Sequence, residues 1–290
     1  MEIDHKELVS IRQVNIQSVN KNETSTFLDT LSVEEPLEIR ISYVSDDIKI
    51  QKNISVTMRT PGNDIDLALG FLFTEGIISS LDNVLDAYAV KMNCLSEKQN
   101  IVQVDLRENF IPNLMQTDRN FYTTSSCGVC GKSSIQSIKT VSPFINSTRP
   151  KVKIDASVFY QLPEKLRSAQ SDFNSTGGLH ASGLFTLQGD LLLLTEDVGR
   201  HNALDKLIGK SLAKRSLPLN EQILLLSGRA SFELIQKAAM AGISIVVAIG
   251  APSSLAVELA AECNITLLGF LRDNRFNIYH ASDQTLIVTA

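Results

Sequence analysis

The sequence lacks a long hydrophobic run, an excess of positive charge and a cysteine-rich segment. The longest strongly apolar run, residues 243–251, is too short to cross a bilayer as a helix. The formal net charge of −5 gives no global basic surface of the kind expected for nucleic-acid or membrane-surface binding. Residues 1–7 lack the apolar stretch of a secretory signal, and four cysteines in 290 residues favour free thiols in a reducing compartment. We therefore expect a cytoplasmic protein that binds neither nucleic acid nor a membrane.

Length and composition are those of an ordinary globular protein. The 290 residues, 43% hydrophobic and 20% charged, suggest about two domains with enough apolar material for a sizeable core. The best linker candidate is residues 142–150, a polar stretch with two prolines. We therefore place an N-terminal domain at residues 1–150 and a C-terminal domain at residues 151–290.

Alternating apolar and polar residues dominate the first half of the chain. Residues 1–25 are weakly patterned and predict an edge strand followed by a loop, whereas residues 26–45 and 48–58 each predict a strand. A helix is predicted over residues 65–75, and Gly76 is its natural stop. The N-terminal domain is therefore expected to be a β-rich α+β unit.

In the second half, helix and strand patterns alternate. After a helix that Asp155 would cap, they comprise a hairpin over 184–195, helices over 199–213, 232–241 and 255–262, and strands over 223–226, 244–249 and 265–270. Alternation of this kind predicts βαβ units, and continuous apolar runs indicate strands that are buried on both faces. We expect a three-layer α/β/α domain with a mixed, largely parallel sheet.

The segments that follow the predicted parallel strands carry arginines and helix starts. They are Ser227-Gly228-Arg229 with the two residues after it, residues 250–254 and residues 271–275. Ligands of open α/β sheets bind beyond the carboxyl ends of the strands, and helix N-termini with arginines suit phosphate. The pattern favours a phosphorylated or nucleotide-like ligand, and the alternative is a set of helix caps with surface arginines.

Two further segments place histidine beside other polar groups. His201 and Asp205 lie four positions apart on one face of the predicted helix that follows Arg200. His180 lies in a glycine-rich turn, residues 175–183. Such groups suit acid–base chemistry or ligand positioning, and the residues leave open the alternative of a hydrogen-bonded helix start and a structural histidine.

A dithiol segment lies between the two halves. Residues 124–132 read Thr-Ser-Ser-Cys-Gly-Val-Cys-Gly-Lys and place Cys127 and Cys130 three positions apart, with almost nothing that could pack a core. Glycines allow sharp bends, and the cation of Lys132 favours thiolate, the reactive form of cysteine. The segment is therefore predicted to be an exposed, mobile and nucleophilic loop.

Several motifs together resemble one known family. They are Arg59-Thr60-Pro61-Gly62, Ser126-Cys127-Gly128-Val129-Cys130-Gly131, Thr176-Gly177-Gly178-Leu179-His180, Glu196-Asp197-Val198-Gly199-Arg200-His201-Asn202-Ala203, Ser227-Gly228-Arg229, and Gly269-Phe270 with Arg272. A CxxC pair alone is weak evidence, but these motifs run in order through most of the chain. The sequence resembles the FdhD family of sulfur carrier proteins, or sulfurtransferases, which are needed to make active formate dehydrogenase.

The resemblance implies a specific reaction. Family members accept sulfane sulfur from a cysteine desulfurase as a cysteine persulfide. They deliver it to the molybdenum bis(molybdopterin guanine dinucleotide) cofactor of formate dehydrogenase, which a guanine nucleotide is expected to mimic. By motif position the carrier is Cys127, with Cys130 either resolving the persulfide or holding sulfur itself. The implied cofactor-binding residues are Phe270, Leu271, Arg272, Asp273, Asn274 and Arg275, and the further candidates are Ser227, Gly228, Arg229, His180, Arg200 and His201.

The resemblance also implies a homodimer and a C-terminal domain with the cytidine deaminase fold. The zinc deaminase signature, HxE with PCxxC, is absent from the sequence, so neither deaminase chemistry nor a metal site is expected. A zinc site that joins Cys127 and Cys130 to His180 or His201 is an alternative, because CxxC is common ligand spacing, although the sequence has no second CxxC or HxxxH pair.

Two other hypotheses compete with sulfur transfer. A thioredoxin-like reductase would place its CxxC at a helix start after a strand, whereas here a polar stretch precedes the two cysteines. A non-catalytic molybdenum cofactor chaperone would keep the arginine segments and tolerate the loss of both thiols.

Overall fold

The computed structural model describes residues 10–21, 23–90, 100–114, 142–144 and 150–289. Cys127, Cys130, the rest of the dithiol segment and most of the predicted linker lie outside the described residues. Among the described helices, none has both the length and the apolar content needed to span a membrane.

The N-terminal half consists mainly of strands. In chain order its elements are β1 (Ile11–Asn20), β2 (Glu23–Ser32), β3 (Glu35–Ser45), β4 (Ile48–Arg59), α1 (Asp64–Thr74), a 3₁₀ helix (Leu81–Asn83), β5 (Val84–Ala89) and β6 (Ile101–Leu106). A four-stranded sheet has the order β4-β3-β6-β5, with β3 and β6 parallel and the other pairs antiparallel. Leu37, Ile39 and Ile41 of β3 are buried, as alternation along a half-buried strand predicts. The β-rich α+β N-terminal half is confirmed.

The first two strands correct one sequence prediction. Residues 1–25 were expected to give one edge strand and a loop, but β1 and β2 form an antiparallel hairpin that pairs Ile11 with Ser32 and Asn20 with Glu23. Lys21, at the turn, has a φ of 51°, a left-handed conformation that suits tight hairpin turns. The predicted strand over 26–45 is therefore two strands, β2 and β3.

The C-terminal half alternates strands and helices, as expected. Its elements are β7 (Val152–Asp155), α2 (Ala156–Ala169), α3 (Ser171–Thr176), β8 (His180–Thr186), β9 (Leu191–Asp197), α4 (Arg200–Ala213), β10 (Gln222–Leu226), α5 (Phe232–Met240), β11 (Ile245–Ala248), α6 (Ser254–Glu262), β12 (Thr266–Arg272), β13 (Arg275–His280) and β14 (Thr285–Val288). The Asp155 carboxylate accepts the Ser157 N–H at 2.8 Å, which confirms the predicted cap of α2.

The central sheet is mixed, but it is less parallel than the sequence suggested. Its strand order is β13-β12-β11-β10-β8-β9. The pairs β10–β11 and β11–β12 are parallel, whereas β8–β10, β8–β9 and β12–β13 are antiparallel. Short turns connect β8 to β9 and β12 to β13, and such turns can join only antiparallel neighbours. Parallel pairing is therefore confined to the centre of the sheet.

Helices cover both faces of this sheet. Leu224 and Leu226 of β10 belong to the apolar cluster that includes α4, α5 and α6. Ile223 and Leu225, which point the other way, belong to the cluster formed with α2. The expected three-layer α/β/α architecture is confirmed.

One hydrophobic cluster extends across both halves of the chain. It contains residues of β3 and α1 as well as residues of α4, α5 and α6. The two halves therefore share a continuous apolar core, and the division at residue 150 stays a prediction.

Candidate functional site

One edge of the central sheet carries most of the predicted site. The three parallel strands β10, β11 and β12 end at this edge, and β8, which runs antiparallel to β10, begins there with His180. The segments beyond the strands hydrogen bond to one another: the Gly250 N–H donates to the Gly228 carbonyl at 2.9 Å, and the Phe270 N–H donates to the Gly250 carbonyl at 3.1 Å. These hydrogen bonds join the segments that follow β10 and β11 to the end of β12 in one continuous surface.

A cavity of about 610 Å³ lies at this edge. Its lining includes His180, Arg200, His201, Arg229, Glu233 and Ser253. These residues come from the start of β8, the loop after β10 and the N-terminal ends of α4, α5 and α6. The volume falls within the range of about 300–1,000 Å³ that small-molecule sites occupy.

The cavity concentrates groups that attract anions. The helices α4 and α5 begin after Gly199 and Ser231, and neither residue caps its helix with a side-chain hydrogen bond. The buried Nε of Arg200 has no hydrogen-bond partner in the described part of the chain. Free helix N–H groups, the positive dipole ends of α4 and α5 and a guanidinium together favour phosphate.

A carboxylate and an imidazole are in contact on the cavity wall. Glu233 Oε2 lies 2.7 Å from His201 Nε2, and the same nitrogen lies 3.3 Å from Ser231 Oγ. The His201 ring therefore stands between the starts of α4 and α5. This contact joins the carboxylate at the start of α5 to the imidazole at the start of α4.

His180 presents a mainly uncharged imidazole to the cavity at neutral pH. Burial lowers the pKa of His180, and the positive charges of Arg200 and His201 lower it further. The ring packs beside Gly228, where a Cβ atom would lie 3.4 Å from His180 Nδ1, an ordinary van der Waals contact. A neutral imidazole can both donate and accept a hydrogen bond.

Ser227 does not line the cavity but holds two of its wall segments together. Its hydroxyl accepts the Ala181 N–H at 2.8 Å, and its own N–H donates to the Ala181 carbonyl at 3.0 Å. These bonds tie the start of β8 to the end of β10, so that His180 is held next to Gly228. Ser227 and Gly228 therefore shape the cavity wall, whereas His180, Arg200, His201 and Arg229 line it.

The segment from Phe270 to Arg275 lies apart from the lining. Residues 271–275 were expected to follow the last strand, but Phe270–Arg272 end β12 and Arg275 begins β13. Phe270 and Asp273 have φ values of 52° and 42°, and Arg272–Arg275 are exposed while Leu271 is buried. The segment is the tip of an antiparallel hairpin, because the chain continues into a further strand. Its Phe270 backbone contacts the Gly250 loop of the shared sheet edge.

Comparison with known proteins decides the family. The FdhD/NarQ family model matches residues 32–286. The chain belongs to the FdhD/NarQ family. This confirms the resemblance that the sequence motifs indicated, including the motifs on both sides of the dithiol segment.

Curated relatives align along nearly the whole chain of this family member. It is 46% identical over 264 residues to the sulfur carrier protein FdhD of Streptomyces avermitilis, covering 90% of each chain. It is 47% identical over 261 residues to the protein of that name from Mycolicibacterium paratuberculosis, covering 88% of this chain and 92% of the relative. The Sulfolobus acidocaldarius protein of that name is 43% identical over 271 residues, with 93% and 97% covered.

A solved structure shows the same fold. A crystal structure from Desulfotalea psychrophila, of a protein assigned as a formate dehydrogenase accessory protein, superposes with a TM-score of 0.70. The alignment covers 95% of this chain and 99% of that chain at 20% identity. At this identity the likeness shows the fold alone.

Asp205, for which the sequence left both a ligand contact and a structural role open, has a structural role in this FdhD/NarQ chain. It is buried, and its carboxylate accepts hydrogen bonds from Thr74 Oγ1 at 2.8 Å and Lys237 Nζ at 2.9 Å. Burial raises the pKa of Asp205, although Lys237 opposes that effect. Asp205 lies four residues beyond His201, which moves its side chain about 6 Å along the helix axis. It therefore braces α4 against α1 and α5 and does not line the cavity.

Sequence reasoning missed Glu233 as a cavity residue. It lies in the first turn of α5, two residues after the cap residue Ser231. Acidic residues commonly occupy first turns, so this position gave no separate signal. Predicting its contact with His201, at the start of α4, would have required knowing the order of the strands in the sheet.

Proposed function

We propose that this chain carries sulfane sulfur as a persulfide on Cys127 and transfers it to the molybdenum bis(molybdopterin guanine dinucleotide) cofactor that formate dehydrogenase requires. A cysteine desulfurase supplies the sulfur, and the protein works as a homodimer in the cytoplasm. The observation that carries the proposal is the identity of 46% along nine-tenths of the chain to proteins named sulfur carrier protein FdhD. Cys127 and Cys130 supply the two thiols that this chemistry needs.

Loading is a thiol–persulfide exchange. The Cys127 thiolate attacks the terminal sulfur of the donor's persulfide, a new S–S bond forms on Cys127, and the donor cysteine leaves as a thiolate. Its rate depends on the thiolate fraction of Cys127 and on access of the donor, and Lys132 and the neighbouring glycines favour both.

Unloading uses the second thiol. The Cys130 thiolate attacks Cys127 Sγ, the S–S bond of the persulfide breaks, and hydrosulfide leaves for the cofactor. The two cysteines give up the two electrons that reduce the sulfane sulfur and become a disulfide, so a dithiol reductant must regenerate them in each cycle.

The cavity at the sheet edge supports the second half of the proposal. Its arginines, Arg200 and Arg229, and the open starts of α4 and α5 offer contacts for the phosphates of a guanine nucleotide. A cavity of about 610 Å³ takes one nucleotide arm and not the whole cofactor. The exposed hairpin tip from Phe270 to Arg275 shares the edge and would contact a further part of the same large substrate.

Sulfur loading tests the carrier role directly. The protein is incubated with a cysteine desulfurase and cysteine, and its intact mass is measured with and without a reductant. We expect a gain of sulfur that a reductant removes and that Cys127→Ala abolishes. Cys263→Ala is the matched control, because Cys263 is a buried cysteine and should not affect loading.

A cellular assay separates the carrier from the chaperone. Cells without the endogenous protein receive wild type, Cys127→Ala or Cys130→Ala, and formate dehydrogenase activity is measured. Loss of activity in the Cys127 variant supports sulfur transfer. Full activity with both cysteine variants, together with an unchanged protein mass in the loading assay, would establish a cofactor chaperone instead.

A further inference from the structure

The Arg59-Thr60-Pro61-Gly62 motif is one of those that carry the family resemblance, but it takes no part in the proposed sulfur transfer. Thr60 follows β4 and makes three hydrogen bonds, to Asp197 at the end of β9, to Val198 in the segment between β9 and α4, and to Lys206 within α4. The Thr60 N–H donates to Asp197 Oδ2 at 3.1 Å, and the Thr60 carbonyl accepts Lys206 Nζ at 2.8 Å. The Thr60 hydroxyl accepts the Val198 N–H at 3.2 Å. This segment continues directly into the cavity residues Arg200 and His201.

Asp197 connects these contacts to the start of α4. Its side chain is completely buried, and its Oδ2 also lies 2.8 Å from Lys206 Nζ. Its Oδ1 accepts the Gly199 N–H at 2.8 Å and Asn202 Nδ2 at 3.2 Å. The two residues before Arg200 are therefore both held through their backbone. The Thr60 hydroxyl accepts the Val198 N–H, and the Asp197 carboxylate accepts the Gly199 N–H.

The N-terminal half anchors Thr60 in turn. Arg59 is buried and its guanidinium pairs with Asp64 at 2.8 Å and with Glu35 at 3.6 Å. The Met58 carbonyl accepts Asn202 Nδ2 at 2.7 Å. Arg59 Nε and Nη2 donate to the two carboxylate oxygens of Asp64 at 2.9 Å and 2.8 Å. This bidentate, charge-assisted contact restricts the guanidinium more than a single bond would. The end of β4 is thus a rigid support on which the start of α4 rests.

We propose that Thr60 is a positioning residue for the cavity, and that its hydroxyl sets the place of Arg200 and His201 through the Val198 N–H. The inference rests on the proposed function only in that the ligand of the cavity is a guanine nucleotide. Without the hydroxyl, the Val198 N–H loses its acceptor, and the turn before α4 is free to shift towards water. Arg200 would then leave the place at which it meets a phosphate.

Thr60→Val removes the hydroxyl with little change in side-chain shape, and Thr60→Ser keeps it. Guanosine diphosphate binding is measured by calorimetry at a temperature at which all the variants are folded. We expect Thr60→Val to weaken binding about tenfold, because the half-buried Val198 N–H loses its acceptor and the turn that carries Arg200 is no longer held. Thr60→Ser should restore the affinity. Ser80→Ala is the control, because it removes a capping hydrogen bond of the 3₁₀ helix and should leave the affinity unchanged.

Hydrogen exchange of the free protein provides a test that needs no ligand. We expect the peptide containing the Val198 amide to exchange faster in Thr60→Val than in wild type or Thr60→Ser, while peptides of β5 remain unchanged. Unchanged exchange and affinity in Thr60→Val would overturn the inference. Equal losses in Thr60→Ser would also overturn it, since they would not follow the hydroxyl.

The two proposals can fail separately. If the wild-type protein does not bind guanosine diphosphate, the proposed ligand is wrong, and the exchange result alone decides the role of Thr60. If Thr60→Val does not fold, Thr60→Ala replaces it, because alanine removes the hydroxyl without adding a methyl group beside Asp197. Sulfur loading on Cys127 should be equal in all of these variants.

Discussion

Gly70 of α1 and Gly209 of α4 lie against each other where the two helices cross. A Cβ atom on Gly70 would overlap the Asp205 carbonyl, and a Cβ atom on Gly209 would overlap the Asp66 carbonyl. The two helix backbones are therefore in direct contact. Because α1 comes from the N-terminal half and α4 from the C-terminal half, this crossing sets the distance between the two halves.

Alanine at either glycine should strongly destabilise the protein. Overpacking typically costs about 1–3 kcal/mol, and we expect Gly70→Ala and Gly209→Ala to reach at least the upper end because the colliding atoms belong to backbone. Urea unfolding followed by circular dichroism measures the change. Lys214→Ala, at the exposed end of α4, is the control. A loss below about 0.5 kcal/mol, the usual range for surface changes, would show that the crossing is not tight.

The buried pair of Asp205 and Lys237 should be costly to break from one side. Lys237 Nζ lies 2.9 Å from Asp205 Oδ2, and removing one partner of a buried ion pair typically costs about 3–5 kcal/mol. We expect Lys237→Met to lose that amount, measured by urea unfolding at neutral pH.

A double variant distinguishes this cost from general damage. Asp205→Leu combined with Lys237→Met removes both charges, and such replacements are often nearly neutral. We expect the double variant to be more stable than Lys237→Met alone. Additive losses in the two single variants and the double variant would contradict a coupled pair.

His180 should make folding stability depend on pH. Its pKa is lowered in the folded state, chiefly by burial, so the unfolded chain binds a proton more readily than the native state does. The contribution of His180 to stability is therefore present above its unfolded pKa of about 6.5 and is lost as pH falls through the lowered folded pKa.

Two unfolding series measure this effect. The free energy of unfolding is determined at about pH 7.5 and about pH 5.5 for wild type and His180→Asn. We expect the loss on acidification to be smaller in the variant, because asparagine does not titrate. An equal loss in both proteins would assign the acid sensitivity to other groups.

Arg200 should contribute to anion binding more than an exposed arginine does. Its Nε is buried in the cavity wall without a partner among the described residues, and charge-assisted hydrogen bonds contribute about 1.5–3 kcal/mol. We expect Arg200→Ala to weaken guanosine diphosphate binding by more than about tenfold in calorimetry. Arg215→Ala is the matched control, since Arg215 pairs with Asp82 while both side chains are largely exposed. Equal effects of the two changes would place the nucleotide elsewhere.

Periodicity predicted the type of most elements because it reports which face of an element is buried. The helix expected over 199–213 is α4 at Arg200–Ala213, and the strand expected over 223–226 is β10 at Gln222–Leu226. The β1–β2 hairpin was missed because its strands are largely exposed, so that burial leaves only a weak alternation in the sequence. The parallel share of the sheet was overestimated because alternation of helix and strand does not report how the hairpins β8–β9 and β12–β13 join the sheet.

The sequence by itself determined the family, the thiol pair and the residue types available at the strand ends, because these depend on local order along the chain. Only the tertiary structure brought His180, Arg200, Arg229 and Glu233 to one cavity. It also showed that Asp205 of α4 accepts a hydrogen bond from Thr74 of α1. It also placed Thr60, from the other half of the chain, under the start of α4. Such neighbours depend on the order of the sheet strands and on how closely two helices cross, which no local pattern encodes.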